Sequence, residues 1–298
     1  MNTEQLNPRN LDIARCLIND VYDDTEGFEA WKAEEIIASK EPMAFAGWMG
    51  GELVSFAYGD MLEPCQGIIH WACTKRNFRD KCFSFEPMQA CILDLKKKGA
   101  EKIHVSKWLD APYRRLIEHL DLSGIRIEHG QLTLRLNMQG YNNDPPTIKS
   151  GYQLRMFREG DDQIWAQVKN EIFASSSTAS DFWTQNYLGV NMKSDFDPPG
   201  FFFAEHNGCP VGICAGLVLH DRKKIDGSSP GGIGWTGVSE EHRGVGLGRA
   251  LMLSALNYLN DTCVPLTEVG TQFYRIAALK LYESLGFRIH IASFDLHL

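Results

Sequence analysis

One stretch constrains this chain more than any other: Gly232–Tyr258, GIGWTGVSEEHRGVGLGRALMLSALNY. Ile233–Val238 reads as a strand and gives way to the polar run Ser239-Glu240-Glu241-His242. Glycines then recur at alternate positions, Gly244, Gly246 and Gly248. Past them Leu247, Leu251, Ala255 and Leu259 recur four apart, the apolar stripe of an amphipathic helix. A turn without side chains lets a ligand approach the main chain, and the first N–H groups of a helix attract anions. The stretch therefore offers a cradle for a pyrophosphate between a strand and a helix.

Spacing separates the kinds of glycine-rich turn. A phosphate-binding P-loop closes on Gly-Lys-Ser/Thr, whereas this turn closes on Gly248-Arg249-Ala250. A dinucleotide fingerprint, G-x-G-x-x-G, starts with Gly244 and Gly246 but fails at Arg249. What fits is V-x-x-x-x-R-x-x-G-x-G, filled by Val238, Arg243, Gly246 and Gly248. With this motif the sequence resembles the GNAT superfamily of acyl-CoA-dependent N-acyltransferases. A second segment extends the resemblance: Leu266–Phe287, LTEVGTQFYRIAALKLYESLGF. It reads as a short strand, Leu266–Gly270, and a helix carrying Ala278, Leu281, Tyr282 and Leu285, stopped by Gly286. Its ending is similar to the last helix and following strand of a GNAT domain.

The rest of the chain repeats one plan. Pro8–Ser39 has helical patterning, and Ala44–Tyr58 is a hairpin signal turning at Gly50-Gly51. Ile68–Cys73 reads as a strand, Pro87–Lys98 as a helix and Ile103–Ser106 as a strand. Ala111–Leu120 reads as a helix, with Gly124–Glu128 and Gln131–Leu136 as closing strands. The polar Gln139–Gly151, with adjacent prolines, is taken as a linker. The order then begins again with a strand at Tyr152–Phe157, a helix at Asp161–Phe173 and a hairpin at Phe201–Leu219 turning at Asn207-Gly208. The expectation is an α/β fold of the α+β type. It has two tandem GNAT-like domains, each a mixed, mostly antiparallel sheet flanked by helices. The boundaries are 1–140 for a degenerate domain, 141–150 for the linker and 151–298 for an acetyltransferase domain. In the first copy the coenzyme turn would fall within Ile69–Phe85, which contains no glycine. Lys81, Cys82 and Phe83 stand where bare backbone is needed, so this copy is not expected to bind coenzyme A in the usual way.

The resemblance assigns roles by position. The main chain of Thr236, Gly237 and Val238 would pair with the pantetheine arm like an added strand. The amides of Gly244, Val245, Gly246, Leu247, Gly248 and Arg249 would surround the pyrophosphate, with Arg243 and Arg249 adding charge or facing solvent. Tyr282 is the expected general acid for the departing thiolate. For the base, some relatives carry a glutamate twelve residues before the tyrosine, where this chain has Gly270. Glu268, on the same face of the strand, is the expected substitute, with His242 and Glu205 as alternatives. Where many relatives have Asn against the coenzyme arm, this chain has Arg275, free to meet a phosphate, an acidic acceptor group or solvent. Phe182, Trp183 and Tyr187 either wall the acceptor site or pack on the core.

These roles describe an N-acetyltransferase. Acetyl-CoA is the co-substrate, no metal is needed, and a small-molecule or peptide amine attacks directly in a ternary complex. The alternative is a decayed acyl-CoA-binding sensor. A formal charge of −8 argues against nucleic acid as partner, and no apolar run reaches the roughly 18 residues that span a membrane. The opening MNTEQLNPRNLD lacks the basic start and apolar core of a signal peptide, and the eight cysteines show no CxxC pair. A cytoplasmic protein with free thiols is expected.

Overall fold

The computed structural model describes residues 1–6, 11–22, 43–110, 115, 116, 118, 120, 125–184, 186, 187, 190–222 and 227–298. The helical patterning expected between residues 23 and 39 lies outside them, as does much of Ala111–Leu120. In chain order the strands are β1 (Asn2–Gln5), β2 (Met43–Met49), β3 (Glu52–Glu63), β4 (Gln66–Thr74), β5 (Lys102–Leu109), β6 (Arg126–Asn137) and β7 (Tyr152–Met156). There follow β8 (Asn186–Tyr187), β9 (Val190–Asn191), β10 (Phe201–His206), β11 (Cys209–Val218), β12 (Gly231–Val238), β13 (Leu266–Gln272) and β14 (Arg288–His297). They fall into two compact units. The first is Met1–Leu134 with Thr271–Leu279 and Arg288–Leu298; the second is Arg135–Gly270 with Lys280–Phe287.

In the first unit the strands run β1-β2-β3-β4-β5-β14. Every neighbouring pair is antiparallel except β4–β5. A parallel pair needs a crossover, which the helix Phe85–Lys97 supplies. That helix covers one face, where Leu95 lies over Gly59 and Gly67. The helix Leu11–Tyr22 covers the other, packing Ala14, Leu17, Ile18 and Val21 on Phe56, Tyr58, Trp71 and Cys73. The last strand of the chain joins this sheet: β14 pairs with β5 through Phe294–Val105 and Leu296–Ile103, with Ala292, Phe294 and Leu296 buried. The units are therefore not sequential halves. Alternating apolar residues define which face of β14 is buried but not which strand it joins. The two strands expected at Gly124–Glu128 and Gln131–Leu136 are one, β6, running through Gly130, whose carbonyl accepts from the Phe273 amide at 3.2 Å.

In the second unit the order is β13-β12-β11-β10-β7, with β8 and β9 a small separate ladder. All pairs in the main sheet are antiparallel except β12–β13, joined by the helix Leu247–Asp261. This helix packs on one face, where Gly212 meets Leu251 and Gly216 meets Tyr258 and Leu259. On the other face the helices Asp162–Phe173 and Ala179–Thr184 bury Trp165, Val168 and Phe182 against Phe201, Phe203 and Ile213. Gln139–Gly151 has no helix or strand, lies within the second unit and is tied down. Asn260 donates to Asn143 Oδ1 at 3.0 Å, and Asn257 to the Asp144 carbonyl at 2.9 Å.

One hydrogen-bond pattern recurs in both units, 164 positions apart. Phe78 N–H to Lys75 O reappears as His242 to Ser239, Lys98 to Asp94 as Thr262 to Tyr258, and Ala100 to Leu95 as Val264 to Leu259. The crossover helix and the turns at both its ends thus have the same backbone plan.

Candidate active site

The site grows from the place where β12 leaves β13. Rungs join Gly231 to Thr267, Gly232 to Glu268 and Ile233 to Val269, and there the pairing stops. β12 continues for Gly234–Val238 without a rung to β13. A bulge turns it: the register with β11 shifts between Ile213 and Ala215, opposite Trp235, whose φ is +48°. A tryptophan in the left-handed region is strained, and such strain concentrates at functional sites. The bulge orients the next two residues to opposite sides. Thr236 Oγ1 sits 3.3 Å from Met252 Sδ on the side of the Leu247–Asp261 helix and 3.2 Å from Cys214 Sγ. Gly237 faces the other way, where a Cβ would come within 2.5 Å of Ile172 and 2.9 Å of Phe173. A Cβ there would force the Ile172 and Phe173 side chains to shift. Residues 235–237 are half-buried, at an accessible edge.

The turn is anchored at its start and open at its end. The Ser239 amide donates to Val211 O at 2.8 Å, and Glu240–His242 forms a 3₁₀ turn. Arg243 folds back, its Nε donating to the Val238 carbonyl at 2.9 Å, so the motif arginine ties off the loop. Gly244 and Gly246 have φ of +77° and +90°, and a Cβ on either would meet nothing within 4 Å. Gly246 caps the helix without a side-chain hydrogen bond. The helix's first bond runs from Ala250 to Gly246 O, leaving the amides of Leu247, Gly248 and Arg249 no intrahelical acceptor. Val245 is half-buried beside them and Arg249 is exposed, its Nη1 donating to Ser284 Oγ at 3.1 Å. This bare, uncapped N-terminus fits a pyrophosphate.

The helix Ile276–Ser284 is brought to this turn by Arg249–Ser284 and by Leu281, which a Cβ on Gly248 would meet at 3.5 Å. Tyr282 lies on it, 5% exposed, its ring 6.0 Å from that of Phe287. Arg275, exposed, is counted with the first unit. Glu268, 3% exposed, sits on the last rungs before the pairing stops. Arg135 Nε donates to its Oε1 at 2.5 Å and Arg222 Nη1 lies 2.9 Å from Oε2. Both oxygens of this carboxylate are thus engaged by guanidinium groups. Glu205 is similarly engaged: Arg155 pairs with it and with Asp161, and Gln153 donates to its Oε2 at 2.7 Å. His242 has its Nδ1 3.1 Å from the Tyr152 hydroxyl and its ring beside His206.

Of the aromatic segment, Phe182 is core, stacked on Phe157 at 5.5 Å. Trp183 packs on Phe182 and donates to Asp162 Oδ2 at 2.8 Å. The Tyr187 side chain lies outside the described residues. Cys214, opposite the bulge, has its thiol pushed up to about 12 by burial, partly offset by the Thr236 hydroxyl. It is not a thiolate nucleophile. The features that sequence inspection missed are Arg135, Arg222 and the strained Trp235. The first two meet Glu268 from elsewhere in the chain, and no local motif marks a bulge. Among the described residues no group of three or more His, Cys, Asp or Glu is placed to hold a metal ion, and no helix is long and apolar enough to cross a membrane.

Residues 165–287 match the Acetyltransferase (GNAT) family. A mycothiol acetyltransferase of Thermobispora bispora is 28% identical over 249 residues, which cover 80% of this chain and 77% of the relative. A mycothiol acetyltransferase of Acidothermus cellulolyticus is 34% identical over 154 residues, 48% of this chain. The alignment spans 47% of that relative, about half its length. A GCN5-related N-acetyltransferase from Sphaerobacter thermophilus has the same fold, with a TM-score of 0.51, 18% identity, and coverage of 100% of this chain and 95% of that one.

Proposed function

We propose, from the premise that this chain belongs to the GNAT superfamily of acetyltransferases, that it transfers an acetyl group from acetyl-CoA to a primary amine of a small-molecule acceptor. One observation carries the reading: β12 parts from β13 just before a bare, uncapped helix N-terminus. Bound there, acetyl-CoA supplies an acetyl group activated as a thioester. The main chain of Thr236, Gly237 and Val238 holds the arm as an added strand would, and the amides of Gly244–Arg249 hold the pyrophosphate. A strand amide near Val238 steadies negative charge on the acyl oxygen. The acceptor nitrogen forms its bond to the acyl carbon as the carbon–sulfur bond breaks, and Tyr282 gives a proton to the departing sulfur.

Attack is direct. The thiol nearest the bulge, Cys214, is buried and protonated, so no acyl-cysteine forms there. Glu268 is better suited to positioning than to taking the amine's proton: it fixes Arg135 and Arg222 beside the last rungs of β12 and β13. That proton passes to water. Donor binding belongs to the second unit, Arg135–Gly270 with Lys280–Phe287, and the first unit is a degenerate copy. By kinship with the mycothiol acetyltransferases, the acceptor is a small amine of that chemical kind.

The test is calorimetric titration with acetyl-CoA, followed by thiol release with a panel of small amines. One site per chain and amine-dependent release are expected; no binding would sink the reading. A second reading, a module that binds acyl-CoA without turnover, is favoured by the occupation of Glu268 by two arginines. Tight binding with no release from any amine would select it.

A further inference from the structure

The first unit contains its own version of the cradle, and the chain fills it from within. The 164-residue correspondence places Arg79 with Arg243, Cys82 with Gly246 and Ser84 with Gly248. Cys82 keeps the left-handed backbone of its counterpart, with φ of +55° against +90°. What differs is the space before the helix Phe85–Lys97. Asp110, at the end of β5, sends its carboxylate there: Oδ2 accepts from the Thr74 hydroxyl, from Ser84 Oγ at 2.8 Å and from the Ser84 amide at 3.3 Å. The same amide also donates to Thr74 Oγ1 at 2.7 Å. All three residues are buried, Thr74 and Ser84 completely and Asp110 at 3% exposure. Cys73, which precedes Thr74, has its thiol pushed up to about 12 by burial first and then by the negative charge of Asp110.

The sheet differs at the same place. In the second unit pairing ends at Ile233–Val269. The corresponding rung of the first unit, Ile69–Val105, is followed by Ala72–Trp108 and Cys73–Leu109. Asp110 is the residue after this last rung, and Thr74 is its neighbour on β4.

We propose that Asp110 is a built-in anion that takes the place of a bound phosphate at the N-terminus of the Phe85–Lys97 helix and holds β4 closed onto β5. A carboxylate at this end of a helix is stabilised by its amides and dipole, as a phosphate would be. The first unit thereby keeps the backbone of a coenzyme cradle and presents no site. The comparison with a coenzyme phosphate rests on the function proposed for the second unit; the anion role itself does not.

Hydrogen exchange read by mass spectrometry tests it, in the full chain, with Asp110→Ala and Asp110→Asn beside the wild type. Removing buried hydrogen bonds to a charged group should speed exchange in peptides spanning 66–74 and 84–97 by at least about tenfold. Inorganic phosphate should slow it again in Asp110→Ala, sodium chloride at equal ionic strength should not, and the wild-type peptides should respond to neither. Asp110→Asn, which keeps the shape and loses the charge, should lie between the two. Acceleration that phosphate leaves untouched, or exchange unchanged in both variants, overturns the proposal. These peptides lie in the first unit, so a failure of acetyl-CoA to bind the second-unit turn would leave the result intact.

Discussion

Tyr282 and Glu268 illustrate how two residues close in sequence come to different tasks. Tyr282 is carried by the helix that Arg249 and Leu281 bring to the glycine turn, and in the proposed role of general acid it would act on the leaving sulfur. Tyr282→Phe keeps the ring and its packing beside Phe287, so turnover should fall by about 10²–10⁴-fold, the usual range for a lost acid, with little change in KM. Equal turnover rules the role out. Glu268→Gln leaves Arg135 and Arg222 with their shared anion gone. Because Arg222 is part-exposed, the loss should be about 3 kcal/mol, the low end for a broken buried pair, read from the denaturation midpoint. The acid limb of the kcat/KM profile should stay where it is; a base would move it. The sequence places Tyr282 by its spacing to Gly286 and Phe287, a local pattern. It is silent on Glu268's partners, since Arg135 lies 133 positions away. A charge is legible in a sequence; the charge that neutralises it is not.

At the scale of elements, the strand, turn and helix of the proposed donor site are shaped by backbone conformation more than by side chains. The alternate glycines announce the turn, and the apolar stripe announces the helix, because both are short-range constraints. The bulge at Trp235 escapes such inspection: a bulge is a relation between two strands, and tryptophan is an unexpected residue for φ of +48°. The parting of β12 from β13 is equally invisible, since Ile233–Val238 alternates no differently after its last rung. The turn can be tested directly. Gly246→Val puts a β-branched side chain at φ of +90°, where an L residue costs about 1–2 kcal/mol or forces the turn to reshape. Either way the amides lose their aim, and acetyl-CoA affinity should drop more than about tenfold by calorimetry, with the circular dichroism of the fold retained. Unchanged affinity would remove the turn from the site.

At the scale of the molecule, duplication and exchange are both visible. The 164-residue echo covers the turn, the crossover helix and the turn that follows it. The echo stops short of the last strand. β14 ends the chain but supplies Ala292, Phe294 and Leu296 to the first unit, pairing with β5. Its alternating apolar residues are legible in the sequence, but a strand's partner is settled by the whole sheet, so order along the chain misassigns it. Phe294→Ala tests this pairing. Phe294 is 1% exposed and sits opposite Val105, so truncation should cost about 3–5 kcal/mol of stability through the transfer and cavity terms together. The position of the damage is the informative part. Although Phe294 follows the helix Ile276–Ser284 in sequence, hydrogen exchange should rise across Lys102–Leu109 and the strands packed with it. Protection in Phe201–Val218 should change less. If the loss appeared there instead, with Lys102–Leu109 undisturbed, β14 would belong to the second unit and the sheet of the first would end at β5.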